Sequence, residues 1–182
     1  ALAMMTAFGA KKDLNVLGVT CVAGNVPLNL TSVNALKICE LSGFSNVPVF
    51  RGSPAPLKRK LITAEHVHGK TGLDGTDLSV KKKELEPTDA VDFIIECTEK
   101  YRDEKITICA LGPLTNIAKV LKQDTVLTES IEEIVLMGGG FFEGGNITPA
   151  AEFNIYVDPE AAKIVLESGL KITMLPLDVT HK

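Results

Sequence analysis

The chain has 182 residues, 45% of them hydrophobic and 23% charged, with a formal net charge of -4. That composition supplies a sizeable core and excludes a disordered segment, and the acidic balance without a basic block excludes a surface that tracks a nucleic-acid backbone. No apolar run reaches the ~18 residues of a membrane span, and the four cysteines form no Cys-x-x-Cys pair, so zinc-ligand spacing is missing.

Taken in order, residues 1–10 read as a helix. Its opening, Ala1-Leu2-Ala3-Met4-Met5, has no N-cap and no basic leader, which is the pattern of a helix entered midway. Residues 14–22 read as a strand carried by Leu14, Val16, Leu17 and Val19, and 28–43 as a helix. Pro48-Val49-Phe50 is a short strand, and a long polar loop covers 51–86. Loops of that length in a compact domain are often functional. A helix follows over 88–101, with Thr88 as N-cap after Pro87. Residues 106–111 form a strand, and 113–123 a helix with Pro113 in its first turn. Residues 131–137 are the next strand. The last helix spans 158–168, capped by Asp158, opened by Pro159 and ended by Gly169, and 170–175 is the last strand.

Strands alternating with helices, the strands being nearly all apolar, predict an α/β fold. Its central sheet is mainly parallel with helices on both faces, a Rossmann-like arrangement in one domain over residues 1–182. There is no internal repeat and no linker. Cys21, Cys39, Cys97 and Cys109 all lie in apolar segments and read as buried free thiols, which fits a reducing, cytoplasmic compartment. The runs Lys58-Arg59-Lys60 and Lys81-Lys82-Lys83 read as solvated surface.

Chemistry collects after the strands. The first runs into Val22-Ala23-Gly24-Asn25 and the strand at 106–111 into Gly112-Pro113-Leu114-Thr115-Asn116. The strand at 131–137 enters a loop with five glycines (Gly138, Gly139, Gly140, Gly144, Gly145), and the last strand runs into Asp178-Val179-Thr180-His181. In open α/β sheets ligands bind outside that carboxyl edge. The glycine loop leads to Asn146, Glu152 and Asn154, three hydrogen-bonding side chains with no cation among them. Neutral amides and one carboxylate suit a neutral polyhydroxyl ligand better than a phosphate. Plainer readings stand beside these. Asn25 is equally ordinary turn chemistry, Asn116 satisfies helix backbone, and Asp178 is a cap or loop anchor. His66 and His68 offer a substrate contact more readily than a metal site, and Asp74 and Asp77 are turn formers around Gly75. Phe141 and Phe142 either wall a pocket or fill the core. No Gly-x-Gly-x-x-Gly opens a helix after the first strand, and neither a phosphate-cradling Gly-Lys-Ser/Thr loop nor a Gly-x-Ser-x-Gly elbow occurs.

Together these loops spell an ordered set. Val22-Ala23-Gly24-Asn25, His66-Val67-His68-Gly69, Ala110-Leu111-Gly112-Pro113-Leu114-Thr115-Asn116, Met137-Gly138-Gly139-Gly140 to Asn146, Ala151-Glu152-Phe153-Asn154, Asp158-Pro159-Glu160-Ala161-Ala162 and Leu177-Asp178-Val179-Thr180-His181 resemble the inosine-uridine-preferring nucleoside hydrolases along the whole chain. The resemblance implies hydrolysis of the N-glycosidic bond of ribonucleosides to free base and ribose by a calcium-holding, cytoplasmic homo-oligomer (dimer or tetramer) serving purine and pyrimidine salvage. By matching position, Asn25, Asn146, Glu152 and Asn154 would hold ribose hydroxyls. His68 would lie by the base or sugar, and the Leu111 carbonyl would coordinate calcium. The family's Asp-x-Asp-x-x-x-Asp-Asp cluster, which supplies metal ligands and the general base, would precede Ala1, and a later His-Asp pair would follow Lys182. The resemblance therefore implies a domain incomplete at both termini, with no catalytic residue inside this chain and little activity from it alone. It also implies unpaired sheet edges prone to self-association. The alternative is a non-catalytic relative that kept a ribose pocket and lost the metal.

Overall fold

The computed structural model describes residues 1–76, 78–80, 82–123 and 126–181, so Asp77 and Lys81 lie outside the described residues. The chain divides into two compact units, residues 1–54 with 63–90 and residues 55–62 with 91–182.

In the first unit, α1 (Leu2–Gly9) and α2 (Leu28–Leu41) accompany a pair of parallel strands, β1 (Val19–Thr20) and β2 (Val49–Phe50). Pro27 precedes α2, whose buried residues Ser32, Ala35, Leu36 and Cys39 recur at helical spacing. Ala35, Leu36 and Cys39 meet Phe8, Cys21, Val47 and Val49 in one core, where Phe8 stacks on Phe44 at 4.6 Å between ring centroids. The strand expected over 14–22 shrinks to two residues. A strand needs a partner, and β2 offers only Val49 and Phe50 for pairing, with Val19 N–H donating to the Pro48 carbonyl and Cys21 N–H to that of Phe50. The long loop contains one helical turn, α3 (Glu65–His68). Glu40 Oε1 accepts the N–H groups of Lys82 and Lys83, and Lys83 Nζ donates to the Ser45 carbonyl, so these two lysines of the second basic run are anchored as well as solvated. Thr88 does not cap the next helix. That helix, α4 (Ala90–Lys100), starts two residues later, because Asp89 is held in a parallel bridge with Arg51.

The second unit is built on a three-stranded sheet, β3 (Ile106–Ala110), β4 (Ile131–Met137) and β5 (Ile172–Leu175), in the order β3-β4-β5 with both pairs parallel. The predicted parallel α/β pattern is what both units show. Parallel neighbours need crossovers. These are α5 (Thr115–Gln123) with a 3-10 turn at Val126–Ser130, then α6 (Phe153–Val157) with α7 (Pro159–Leu166). A single turn, α8 (Leu177–Thr180), follows β5. The helix α5 starts at Thr115 rather than at 113, since its first carbonyl acceptor is Leu114, bonded by Ala118 N–H. The core joins Ile131, Ile134 and Leu136 of β4 to Leu114, Ile117, Ala118 and Leu121, and to Ala161, Ala162 and Val165. Cys109 corrects the expectation of four buried thiols. It lies on the exposed face of the edge strand β3 with Thr107, whereas Cys21, Cys39 and Cys97 are buried. Burial pushes the Cys21 thiol up to about 11.

Asp158 organises this unit. It is fully buried, and its Oδ1 accepts Ala161 N–H at 3.0 Å, capping α7 as expected with Pro159 at the first position. Its Oδ2 accepts Leu57 N–H at 2.9 Å and the Thr115 hydroxyl at 2.6 Å. One loop, at Leu57, and the starts of two helices, α5 and α7, thereby share one carboxylate. Beside it Arg59 pairs with Glu160 at 3.1 Å, an exposed ion pair on the first basic run.

Candidate functional site

Because β3, β4 and β5 run parallel, their carboxyl ends share one edge. Leu111, the glycine loop and the turn at Asp178 all leave the sheet there. The glycine loop is shaped by close main-chain approach: a Cβ on Gly140 would overlap the Gly144 carbonyl, and one on Gly145 would overlap the main chain of Thr148 and Ala151.

The three predicted ribose ligands of this unit come together around that loop. Glu152 is 2% exposed and caps α6. Its Oε2 accepts the N–H of Ile155 at 3.2 Å and of Gly139 at 3.1 Å, tying the helix start to the glycine loop. Asn154, one residue into α6 and buried, donates from Nδ2 to the Met137 carbonyl at 3.1 Å. Asn146 accepts Phe153 N–H on Oδ1 at 2.9 Å. Each side chain is thus fixed through one polar atom. The other atom (Oε1 of Glu152, Oδ1 of Asn154, Nδ2 of Asn146) makes no hydrogen bond with the described residues. A carboxylate oxygen, an amide carbonyl and an amide N–H are the groups that pair with hydroxyls, which both donate and accept.

Asp178 is a loop anchor. Its carboxylate accepts the N–H of Phe141 and Phe142, each at 2.8 Å, and of Glu143 at 3.2 Å. The Phe141 N–H is the main cause holding its carboxyl below the ordinary aspartate range. So clamped, Phe141 and Phe142 fill no core: they stand 78% and 90% exposed, edge to face at 4.8 Å.

In the first unit, Asn25 follows β1 at that pair's carboxyl edge with an exposed side chain. Its carbonyl accepts Ala64 N–H at 2.8 Å, and the Ala64 carbonyl accepts His68 N–H at 2.9 Å, so the structure brings Asn25 and the exposed His68 turn together. Asp74 is the turn former expected. It accepts the N–H of Lys70 and Thr71, each at 2.9 Å, and the Thr71 hydroxyl, and the hydroxyl is the leading cause of its lowered carboxyl pKa. Gly69 sits so close to this carboxylate that a Cβ there would overlap it. An open cavity of about 430 Å³ in the same unit, bordered by Arg51, Leu85, Glu86, Pro87, Thr88 and Asp89, includes none of the predicted site residues.

Among the described residues no group of three or more His, Cys, Asp or Glu is placed to hold a metal ion. Leu111 follows β3 and is 55% exposed, leaving its carbonyl as a single candidate ligand. Calcium takes roughly six to eight oxygens, so the described residues do not by themselves fit that ion.

Sequence reasoning missed the capping role of Glu152. Glutamate is not among the preferred N-cap types, and α6 is too short for an apolar period. The tie from Asp178 to the glycine loop was equally hidden, since its partners are main-chain groups 35 to 37 positions away.

Comparison with known proteins adds a family. The model for "Inosine-uridine preferring nucleoside hydrolase" matches residues 1–182. The chain is 50% identical over 173 residues to an uncharacterized protein of Schizosaccharomyces pombe, covering 95% of this chain and 56% of the relative. It is 44% identical over 182 residues to the pyrimidine-specific ribonucleoside hydrolase RihB of Escherichia coli O9:H4, covering 100% of this chain and 57% of that protein. The solved purine-preferring ribonucleoside hydrolase from Gardnerella vaginalis superposes with a TM-score of 0.91 at 34% identity, over 97% of this chain and 57% of that one. The chain therefore spans little more than half the length of these relatives.

Proposed function

The chain belongs to the inosine-uridine preferring nucleoside hydrolase family, and from that premise we propose that the protein carrying it hydrolyses the N-glycosidic bond of ribonucleosides, adding water to give free base and ribose. One observation carries the reading: Glu152, Asn146 and Asn154 are each fixed through one atom and keep a second for a ligand. Cleavage of a glycosidic bond passes through an oxocarbenium-like state, and hydrogen bonds to sugar hydroxyls strengthen as that positive charge grows. Preorganised amides and a carboxylate meet this need, because their orientation is set before the reaction begins. Asn25 and His68 are proposed as nucleoside contacts of the first unit. No general base is assigned within this chain.

The same proposal extends to one nucleoside hydrolase domain over residues 1–182, calcium dependence, a cytoplasmic homo-oligomer and a role in base salvage. The decisive experiment measures base release by the full-length protein from inosine, adenosine, uridine and cytidine, with calcium and after chelation. The named relatives include a pyrimidine-specific and a purine-preferring enzyme, so the panel spans both classes. Release of base from at least one nucleoside, lost on chelation and restored by calcium, is expected. Absence of release from all four overturns the enzymatic reading.

The second reading is a nucleoside-binding module without turnover. Glu152, the carboxylate of the cluster, has Oε2 committed to two backbone N–H groups, which suits holding a hydroxyl better than removing a proton and serves either reading. Saturable ribose binding without base release selects it.

A further inference from the structure

We infer that Asp178 is a positioning residue for Glu152, acting through the glycine loop; the inference rests on the nucleoside reading above. The connection is continuous. Asp178 accepts three successive N–H groups of the loop, from Phe141, Phe142 and Glu143. Its neighbour Leu177, buried in the same turn, donates N–H to the Gly139 carbonyl at 2.9 Å. The N–H of that same Gly139 then donates to Oε2 of Glu152. The turn after β5 therefore grips the loop on both sides of Gly140, and the loop orients the carboxylate that faces the ligand.

Three features separate this from ordinary loop packing. First, the loop lacks a hydrophobic anchor of its own, since Phe141 and Phe142 point to solvent. Polar contacts hold it, those to α8 together with Gly138 N–H to the Leu175 carbonyl and Gly145 N–H to the Pro149 carbonyl. Second, Gly139 has φ +74, a left-handed backbone open to few residues, and it uses both its main-chain groups in this path. Third, Glu152 joins the loop to α6, so a displaced Gly139 removes one of the two N–H groups that fix its carboxylate. A rotated carboxylate would present Oε1 to the sugar at the wrong angle, and misplacement of a positioning group is costly to rate.

The test uses the full-length protein with Asp178→Asn, Glu152→Gln and the double variant. It reads kcat/KM for inosine and uridine, together with hydrogen exchange of residues 138–143 by mass spectrometry. Asp178→Asn keeps the shape but turns one acceptor oxygen into a donor. We expect it to lower kcat/KM about tenfold, to leave the already reduced value of Glu152→Gln unchanged, and to accelerate exchange in the loop. Non-additivity of this kind marks residues acting as a unit. The same factor in both backgrounds would show that Asp178 acts independently of Glu152 and would overturn the inference, as would unaltered exchange. Asp178→Glu, which keeps the charge but extends it by one methylene, should give a smaller loss of about threefold that is again absent without Glu152. It also serves as the comparison should Asp178→Asn fail to fold. If the parent protein releases no base at all, the nucleoside reading fails on that result, and loop exchange alone decides whether Asp178 holds Gly139.

Discussion

Asp158 and Glu152 are both buried carboxylates at the start of helices, yet they use their oxygens differently. Asp158 has each oxygen engaged by the protein, accepting from Ala161, Leu57 and Thr115. Glu152 engages Oε2 with Gly139 and Ile155 and keeps Oε1 unbonded, while its neighbours Asn146 and Asn154 repeat that half-use. A saturated carboxylate builds the fold. A half-saturated one keeps an oxygen that the fold does not use and that a hydroxyl can reach, since among the described residues none of these three spare atoms is a buried atom without a partner and Asn146 is exposed.

The comparison breaks first on stability. Asp158→Ala leaves three donors without their acceptor and should lower unfolding stability by roughly 3–5 kcal/mol, read by urea denaturation. The activity of molecules that remain folded should be nearly unaffected. If Asp158→Ala instead leaves stability intact and abolishes turnover, the division of labour is reversed. Glu152→Gln is the complementary change. It should reduce kcat/KM by about 100-fold with a much smaller shift in the urea midpoint, as expected for a preorganised group acting on developing charge.

A finer distinction comes from pH. The Asp178 carboxyl is held below its ordinary range, mainly by Phe141 N–H. A depressed folded pKa contributes stability above the unfolded aspartate value, about 3.9, and that contribution disappears as pH falls through the folded value. Urea midpoints of the parent should therefore drop more between pH 5 and pH 2.5 than those of Asp178→Asn. Equal drops would remove the carboxylate from the loop's stability. The smallest effect belongs to Arg59→Ala, which deletes an exposed ion pair with Glu160 and should cost no more than ~1 kcal/mol, less in high salt.

Much of the architecture was legible because it rests on periodicity and caps. Asp158-Pro159 announced α7, which ends at Leu166 rather than at the expected 168, with Gly169 at φ +77 lying three residues beyond it. The alternation of apolar runs with amphipathic stretches foretold parallel pairing. What escaped depends on partners distant in the chain. The extent of β1 was set by the two residues of β2, not by Leu14 and Val16. The exposure of Cys109 follows from its place on the same face of β3 as the exposed Thr107, which an apolar run does not reveal. The site was legible as a set of residue types at strand ends. Their double attachment was not, because every fixing partner of Glu152, Asn146, Asn154 and Asp178 in this cluster is a main-chain group, except for the Met137 sulfur beside Asn154. Main-chain donors leave no trace in residue identity.

The overlap that any Cβ would meet at Gly140 and Gly145 limits where this turn can diversify. Those two sites tolerate only hydrogen, whereas Phe141, Phe142 and Glu143 lie between them, attached through their backbones with the two rings outside. A combinatorial library confined to these three positions could therefore remodel the rim chemistry while the scaffold beneath stayed in place.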